Sequence, residues 1–193
     1  MRPIFERKPL VLEFGCGSVK ADREAIGIDV LPAPAVDIVA NAYEILAELE
    51  GETVDKILSR HFIEHLPDPE QYILKCARVL KHGGLLETTA PHWSNAYFYS
   101  DPTHKSFWGL YSMCYFAECD FLRRKVPSYY EKFFRLQDVT LVVRSESTFP
   151  VRYLARRSLG SIVNTTRWFQ EFYEENLANL LSCYEIIYRM VRL

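Results

Sequence analysis

The sequence predicts an α/β fold: a three-layer sandwich around a mostly parallel, seven-stranded sheet. Three observations predict it. Between residues 10 and 91, five short apolar runs alternate with polar or helical stretches, the pattern of strands buried on both faces. A glycine turn, Gly15-Cys16-Gly17, follows the first run at once. Two late apolar runs complete the count, and the last alternates partly, as a half-exposed antiparallel strand does.

The five early strands are Leu10–Phe14, Ala25–Val30, Val36–Ala40, Val54–Ser59 and Leu85–Ala90. The clearest helix spans 69–81. Asp68 suits its N-cap, Pro69 its first turn and Gln71 the third position of a capping box. Tyr72, Ile73, Cys76, Ala77, Val79 and Leu80 supply the apolar face, and Gly83 is placed to end it. Only nine residues, 18–26, separate Gly17 from Gly27. A full crossover helix needs more room, so this connection is expected to be a loop or a turn or two. The late strands are Leu136–Val143 and Glu185–Leu193. Between them Ser161–Ser182 reads as one helix, with Ile162, Trp168, Phe169, Phe172 and Leu180 toward the core.

Composition narrows the class. The chain has 193 residues, 49% hydrophobic and 25% charged, enough for a globular core and unlike disordered or low-complexity chains. No apolar run approaches the roughly 18 residues of a membrane span, and MRPIFERKPLVLEF lacks the pattern of a secretory signal. Five scattered cysteines and no CxxC point to a reducing, cytoplasmic setting. Cys114 and Cys119, with His104 upstream, could form a metal site; burial as small apolar residues is the preferred reading. No metal is expected. The net charge of −2 argues against a generic nucleic-acid binder. Residues 1–122 carry −7, 123–157 carry +6 and 158–193 carry −1, and 14 of the 27 aromatics lie between Trp93 and Phe134. One domain is expected over 1–193, with a cofactor-binding half at 10–91 and an acceptor half at 92–193 bearing an aromatic-rich helical cap.

Chemistry concentrates at the carboxyl ends of the first two strands. Glycines at 15 and 17 permit positive φ and let a ligand lie against the backbone, at the edge where open α/β sheets bind ligands. Asp29 ends the second strand and can accept from ribose hydroxyls. A dinucleotide site wants GxGxxG, and the third glycine is missing. Glu13 puts a carboxylate two residues before the turn. That suits a cationic, phosphate-free cofactor such as S-adenosylmethionine better than the pyrophosphate of NAD.

These residues resemble the class I S-adenosylmethionine-dependent methyltransferases. The resemblance rests on LEFGCG at 12–17, GIDV at 27–30, VDIVAN at 36–41, VDKILSRHFIEHLPDP at 54–69 and ARVLKHGGLLETTAP at 77–91. PHWS at 91–94 with DPTHK at 101–105 looks like a small subgroup often found among glycan-modifying genes. The resemblance implies a Rossmann-like fold in which Glu13, Gly15, Cys16 and Gly17 shape the methionine end of the cofactor site. Asp29 would take the ribose and Val30 the adenine face. Asn41 would lie near the adenine amino group, and Arg60 and His61 would line the pocket.

Methyl transfer is an in-line displacement that needs positioning and dryness, and a hydroxyl acceptor also needs a base. His92, Asp101 and His104, just after the fifth strand, are the candidates, each also readable as a loop or turn residue. His65 is expected to orient a loop, and His82 to be structural. Trp93, Tyr97, Tyr99, Phe107 and Trp108 either pack the cap or line an acceptor pocket. The acceptor is expected to be a small molecule or glycan. Arg123, Arg124 and Lys125 would hold its phosphate if it is anionic; alternatively, residues 151–159 would lie on an anionic membrane surface. A binding module without catalysis and a nicotinamide-dependent enzyme are the remaining readings.

Overall fold

The structure, a computed structural model, describes residues 3–127, 129–145 and 149–193. The early runs form strands β1 (Val11–Phe14), β2 (Ile26–Asp29), β3 (Ile38–Val39), β4 (Val54–Arg60) and β5 (Leu80–Pro91). β6 (Ala117–Glu118), β7 (Phe134–Val142) and β8 (Glu185–Arg192) follow. They make one eight-stranded sheet in the order β3-β2-β1-β4-β5-β8-β7-β6. The eighth strand, two-residue β6 on the edge, carries too short a pattern to be read from sequence. β1 to β5 are parallel, and β8 runs antiparallel to both β5 and β7.

Strand order reverses between β1 and β4: β1 has β2 on one side and β4 on the other. Open α/β sheets bind ligands at such a switch point. The carboxyl ends of β1, β2 and β4 therefore bring Gly15, Asp29 and His61 to one edge. Residues 11–14 are all buried, so both faces of the central strand are covered. Phe14 meets Tyr72 edge-on at 5.8 Å, and Tyr72 meets Phe62 at 5.4 Å, fixing the loop after β4 against the core.

Helices α1 (Ala42–Glu48) and α2 (Pro69–Val79) pack together on the sheet. Asp68 caps α2 as expected, accepting from Gln71 N–H at 2.9 Å. Gly83 does not end this helix. Leu80 is already extended and pairs with Val54, so the helix stops at Val79 and Gly83, at φ 78°, turns the chain into the long part of β5. Residues 18–25 form turns without a helix, as the short spacing requires. Lys20 replaces it as the brace, donating to Ala25 O at 2.9 Å and Asp37 at 2.7 Å.

The second half departs further from expectation. The aromatic-rich cap has no α-helix: among the described residues, 92–133 contain turns, two short 3₁₀ segments, β6 and an isolated bridge between His92 and Trp108. Asn95 and Asp101 explain this, because their side chains accept from the N–H two residues on and divert the backbone into turns. The helix expected over 161–182 is two helices, α3 (Pro150–Val163) and α4 (Arg167–Asn176). Asn164 breaks it by turning its amide onto β7, and Thr166 caps the next helix.

Ile162, Trp168, Phe169, Phe172 and Leu180 do not face the core; all five are exposed. Val163, Gln170, Tyr173 and Ala178 are buried instead. The polar member of that set answers a polar need. β7 leaves an open edge at 139–141, and side chains satisfy it: Asn164 pairs with both N–H and C=O of Leu141, while Gln170 and Arg167 donate to Val139 O. Among the described residues, no helix is long and apolar enough to cross a membrane.

Candidate functional site

Gly15 and Gly17 both adopt the left-handed conformation, at φ 69° and 52°. The reasons differ. A Cβ on Gly15 would strike Phe62 at 2.8 Å, so Gly15 is a packing glycine. A Cβ on Gly17 would meet nothing within 4 Å, so Gly17 presents bare backbone to open space. Asp29 stands across from it and accepts from Gly17 N–H at 3.1 Å and Leu31 N–H at 3.1 Å. Each carboxylate oxygen keeps a further lone pair for a ligand. Val30, 60% exposed, offers an apolar surface beside it.

Glu13 is fully buried, and its carboxylate accepts from Ala21 N–H at 2.8 and 2.9 Å and from Asp22 N–H at 3.2 Å. It shapes the site by holding the 18–22 loop. Arg60 closes the same loop, donating to Val19 O at 2.6 Å with Glu13 3.6 Å away. Cys16 is buried beneath the turn, its thiol pushed up to about 11 by burial and then by Asp29 and Glu13. Asn41 caps α1, accepting from Tyr43 N–H at 2.8 Å, and its exposed side chain faces solvent.

His61 sits at the tip of β4 at φ 49°. Its Nε2 is 2.9 Å from Glu185 and its Nδ1 3.6 Å from Glu64. Glu185, then Glu64, raise its pKa to about 9, so it is a cation at neutral pH. Sequence alone marks neither partner: Glu185 lies 124 residues away on β8, and nothing in the residues around Glu64 shows that it is buried.

The three base candidates fall in different environments. His92 is fully buried. Ser94 N–H donates to its Nδ1 at 3.2 Å, so Nε2 carries the proton and donates to Glu174 at 3.1 Å. Glu174 also accepts from Leu110 N–H. His92 thereby ties β5, α4 and the cap together. Asp101 is half-buried; hydrogen bonds from Thr103 Oγ1 and N–H hold its carboxyl below the usual range. His104 donates from Nδ1 to Phe98 O at 2.9 Å and lies 4.8 Å ring-to-ring from His65. Among the described residues it shares no metal-holding cluster with Cys114 and Cys119, whose free thiols hydrogen-bond to each other. His65, as expected, orients a loop through Thr103 at 2.8 Å, and His82 pairs with Glu52 at 3.3 Å.

The aromatics of the cap divide. Phe98 and Trp108 are buried, while Tyr97, Tyr99 and Phe107 are exposed. Trp93, Phe107, Trp108 and Tyr111 line a cavity of 290 Å³ that also holds Arg124. A second cavity of 230 Å³ is lined by Tyr97, Tyr184, Arg144, Arg152 and Arg156. Arg123 is partly neutralised by Glu171, and Arg124 stacks on Tyr111 at 5.6 Å. Val151 and Leu154 lie exposed on α3 beside Arg152 and Arg157.

The switch-point edge, the bare Gly17 backbone and the acid-tipped β2 define the class: a Rossmann-like α/β fold with a ligand edge at the carboxyl ends of its strands. Residues 12–88 match the methyltransferase domain family. The chain is 33% identical over 93 residues to a ubiquinone biosynthesis O-methyltransferase of Hahella chejuensis, covering 38% of this chain and 39% of that protein. A similar protein from Chelativorans is 34% identical over 96 residues, 38% of its length. The likeness to these relatives thus spans about two fifths of each. A S-adenosylmethionine-dependent methyltransferase from Archaeoglobus fulgidus superposes over 98% of this chain and 89% of its own, at TM-score 0.59 and 18% identity. That likeness covers both halves and is one of fold.

Proposed function

We propose that the protein transfers a methyl group from S-adenosylmethionine to an oxygen of a small molecule or glycan. The observation that carries this is the pairing of Gly17's open, left-handed backbone with the Asp29 carboxylate at the switch point. The residues fit that cofactor: a carboxylate for ribose hydroxyls, an exposed apolar Val30 for the adenine face, and no third glycine for a pyrophosphate. When bound, the cofactor supplies an electrophilic methyl carbon. The chain's own residues hold it, position the acceptor and exclude water.

Proton removal from a hydroxyl acceptor falls to the cluster around His104. His92 spends both ring nitrogens inside the core, and Asp101 is too acidic to be an effective base near neutral pH. His104 keeps Nε2 as a lone pair, because Nδ1–H is committed to a carbonyl. The arginine-lined cavity beside Tyr97 supports an acceptor carrying negative charge; small-molecule binding there, rather than nucleic acid, accords with the net charge of −2.

Thermal-shift titration with S-adenosylhomocysteine against NAD tests the donor, since binding raises apparent stability by mass action. A shift with the former alone is expected. A shift with NAD alone would favour a nicotinamide enzyme, and cofactor binding without transfer to any acceptor would favour a binding module.

A further inference from the structure

We propose that Glu64, His65 and His104 form a binding site for a divalent transition-metal ion. One potential ligand atom from each lies within 4.8 Å of the others. Glu64 is fully buried, yet neither of its carboxylate oxygens has a hydrogen-bond partner. Burying such an acceptor is costly without compensation. Its ion-pair partners are His61 Nδ1 at 3.6 Å and His65 Nε2 at 3.9 Å, both beyond hydrogen-bond reach.

The surrounding hydrogen bonds set the tautomers of both histidines. Thr103 Oγ1 donates to Asp101 Oδ1 at 2.6 Å, so it must accept from His65 Nδ1–H at 2.8 Å. Phe98 O can only accept, so His104 Nδ1 carries a proton too. Each imidazole therefore turns a bare Nε2 inward. Two nitrogen lone pairs and a carboxylate converge; the His61 imidazolium 3.6 Å from Glu64 offsets part of the carboxylate charge, and a metal ion would engage all three ligand atoms. Fixing the outward nitrogen by a hydroxyl or carbonyl is how metal-binding histidines are held.

Backbone geometry locks the halves of the site. Lys105 N–H donates to Glu64 O at 2.7 Å, pinning the 101–105 loop to the 63–65 turn. Two imidazoles and one carboxylate suit zinc, iron, cobalt or manganese rather than calcium or magnesium. Tetrahedral ligands at ordinary bond lengths stand about 3.3 Å apart, so atoms now within 4.8 Å of one another would draw in by up to about 1.5 Å. Side-chain exposure of His65, 35%, leaves one flank open for an oxygen ligand, and Asp101 Oδ2, 3.7 Å from His104 Nε2, borders it. Binding an acceptor hydroxyl at that open position is the part that rests on the proposed methyl transfer. There the ion, by occupying the His104 Nε2 lone pair, would replace that nitrogen in lowering the hydroxyl's pKa. Holding the ion does not rest on methyl transfer.

The test is cobalt(II) titration of chelator-treated full-length protein, read by d–d absorption and by elemental analysis. One equivalent is expected, with affinity lowered more than tenfold in Glu64→Gln, His65→Ala and His104→Ala, and unchanged in His82→Ala. His65→Ala removes a half-exposed ring and keeps the test alive if Glu64→Gln misfolds by circular dichroism. Equal affinity in all variants, or no stoichiometric binding by the wild type, would overturn the site. S-adenosylhomocysteine titration of the same samples separates the claims. Metal without S-adenosylhomocysteine binding overturns the methyl-transfer reading and leaves the ion site standing; S-adenosylhomocysteine binding without metal does the reverse.

Discussion

The halves of this chain are held together by different physics. Residues 10–91 form a sheet whose strands are continuous apolar runs, buried by their neighbours and ordered by parallel pairing. Residues 92–193 complete the same sheet, but polar side chains working over long distances fix their loops and helices. His92, Ser94 and Glu174 join β5, the cap and α4, while Asn164, Gln170 and Arg167 close the β7 edge. The lesson is that periodic burial can be read locally, whereas a hydrogen bond spanning 82 residues, as between His92 and Glu174, cannot.

If that contrast holds, single polar deletions in the second half should rival core damage. The largest effect is expected for Glu174→Ala, which strands His92 Nε2–H and Leu110 N–H in the interior. It should cost about 3 kcal/mol, the range for breaking a buried charged hydrogen-bond network. Urea denaturation measures it, and a loss under about 0.5 kcal/mol, a typical surface value, would dissolve the contrast.

Next comes Gly15→Ala. It forces a Cβ against Phe62 and strains a positive φ, so it should cost about 2 kcal/mol. Its cofactor binding should fall with it. Asp29→Ala should behave differently, weakening S-adenosylhomocysteine at least tenfold in titration calorimetry while unfolding close to wild type.

A smaller, pH-dependent effect is expected at Asp138. Burial raises its carboxyl, but Arg167 and Thr140 hydrogen bonds and two guanidinium charges outweigh that and leave it lowered. A lowered native pKa gives stability that is present above the unfolded value of about 3.9 and lost as pH falls through the native one. Asp138→Asn should therefore be less stable than wild type at pH 7, with the gap closing below pH ~4 in acid titrations of the melting temperature. The pair is a third exposed, so solvent screening keeps the gap modest.

The smallest is chemical. Cys119 receives a hydrogen bond from the Cys114 thiol and others from Leu122 and Phe121 N–H, which hold it below the usual thiol range against burial. The other four cysteines are buried. Iodoacetamide at neutral pH should alkylate Cys119 first, as peptide mass spectrometry would record.

Much of the first half was legible because its signals are local. The Gly15-Cys16-Gly17 turn, the Asp68 cap and the short 18–26 loop each follow from a few adjacent residues. The second half misled in an instructive way. Trp168, Phe169 and Phe172 have the spacing of a core face, yet Gln170 and Tyr173 occupy it, because the β7 edge needs donors more than α4 needs apolar cover. Glu64 was overlooked as a site residue, since nothing in IEHLPDP reveals that its carboxylate would be sealed beside two histidines, one from a loop forty residues on. His92 stood out as chemistry, and its Glu174 partner is invisible without the fold.

The account turns on Gly17 as the cradle for the donor, and calorimetric titration of S-adenosylhomocysteine into wild type and Gly17→Val tests it most directly. The valine Cβ meets no protein atom within 4 Å and its side chain enters the open space above the turn, at a cost of about 1–3 kcal/mol for a branched residue at φ 52°. The account predicts one-to-one binding by the wild type, lost in the variant, with both proteins folded. Equal binding by both, or none by the wild type, would contradict it.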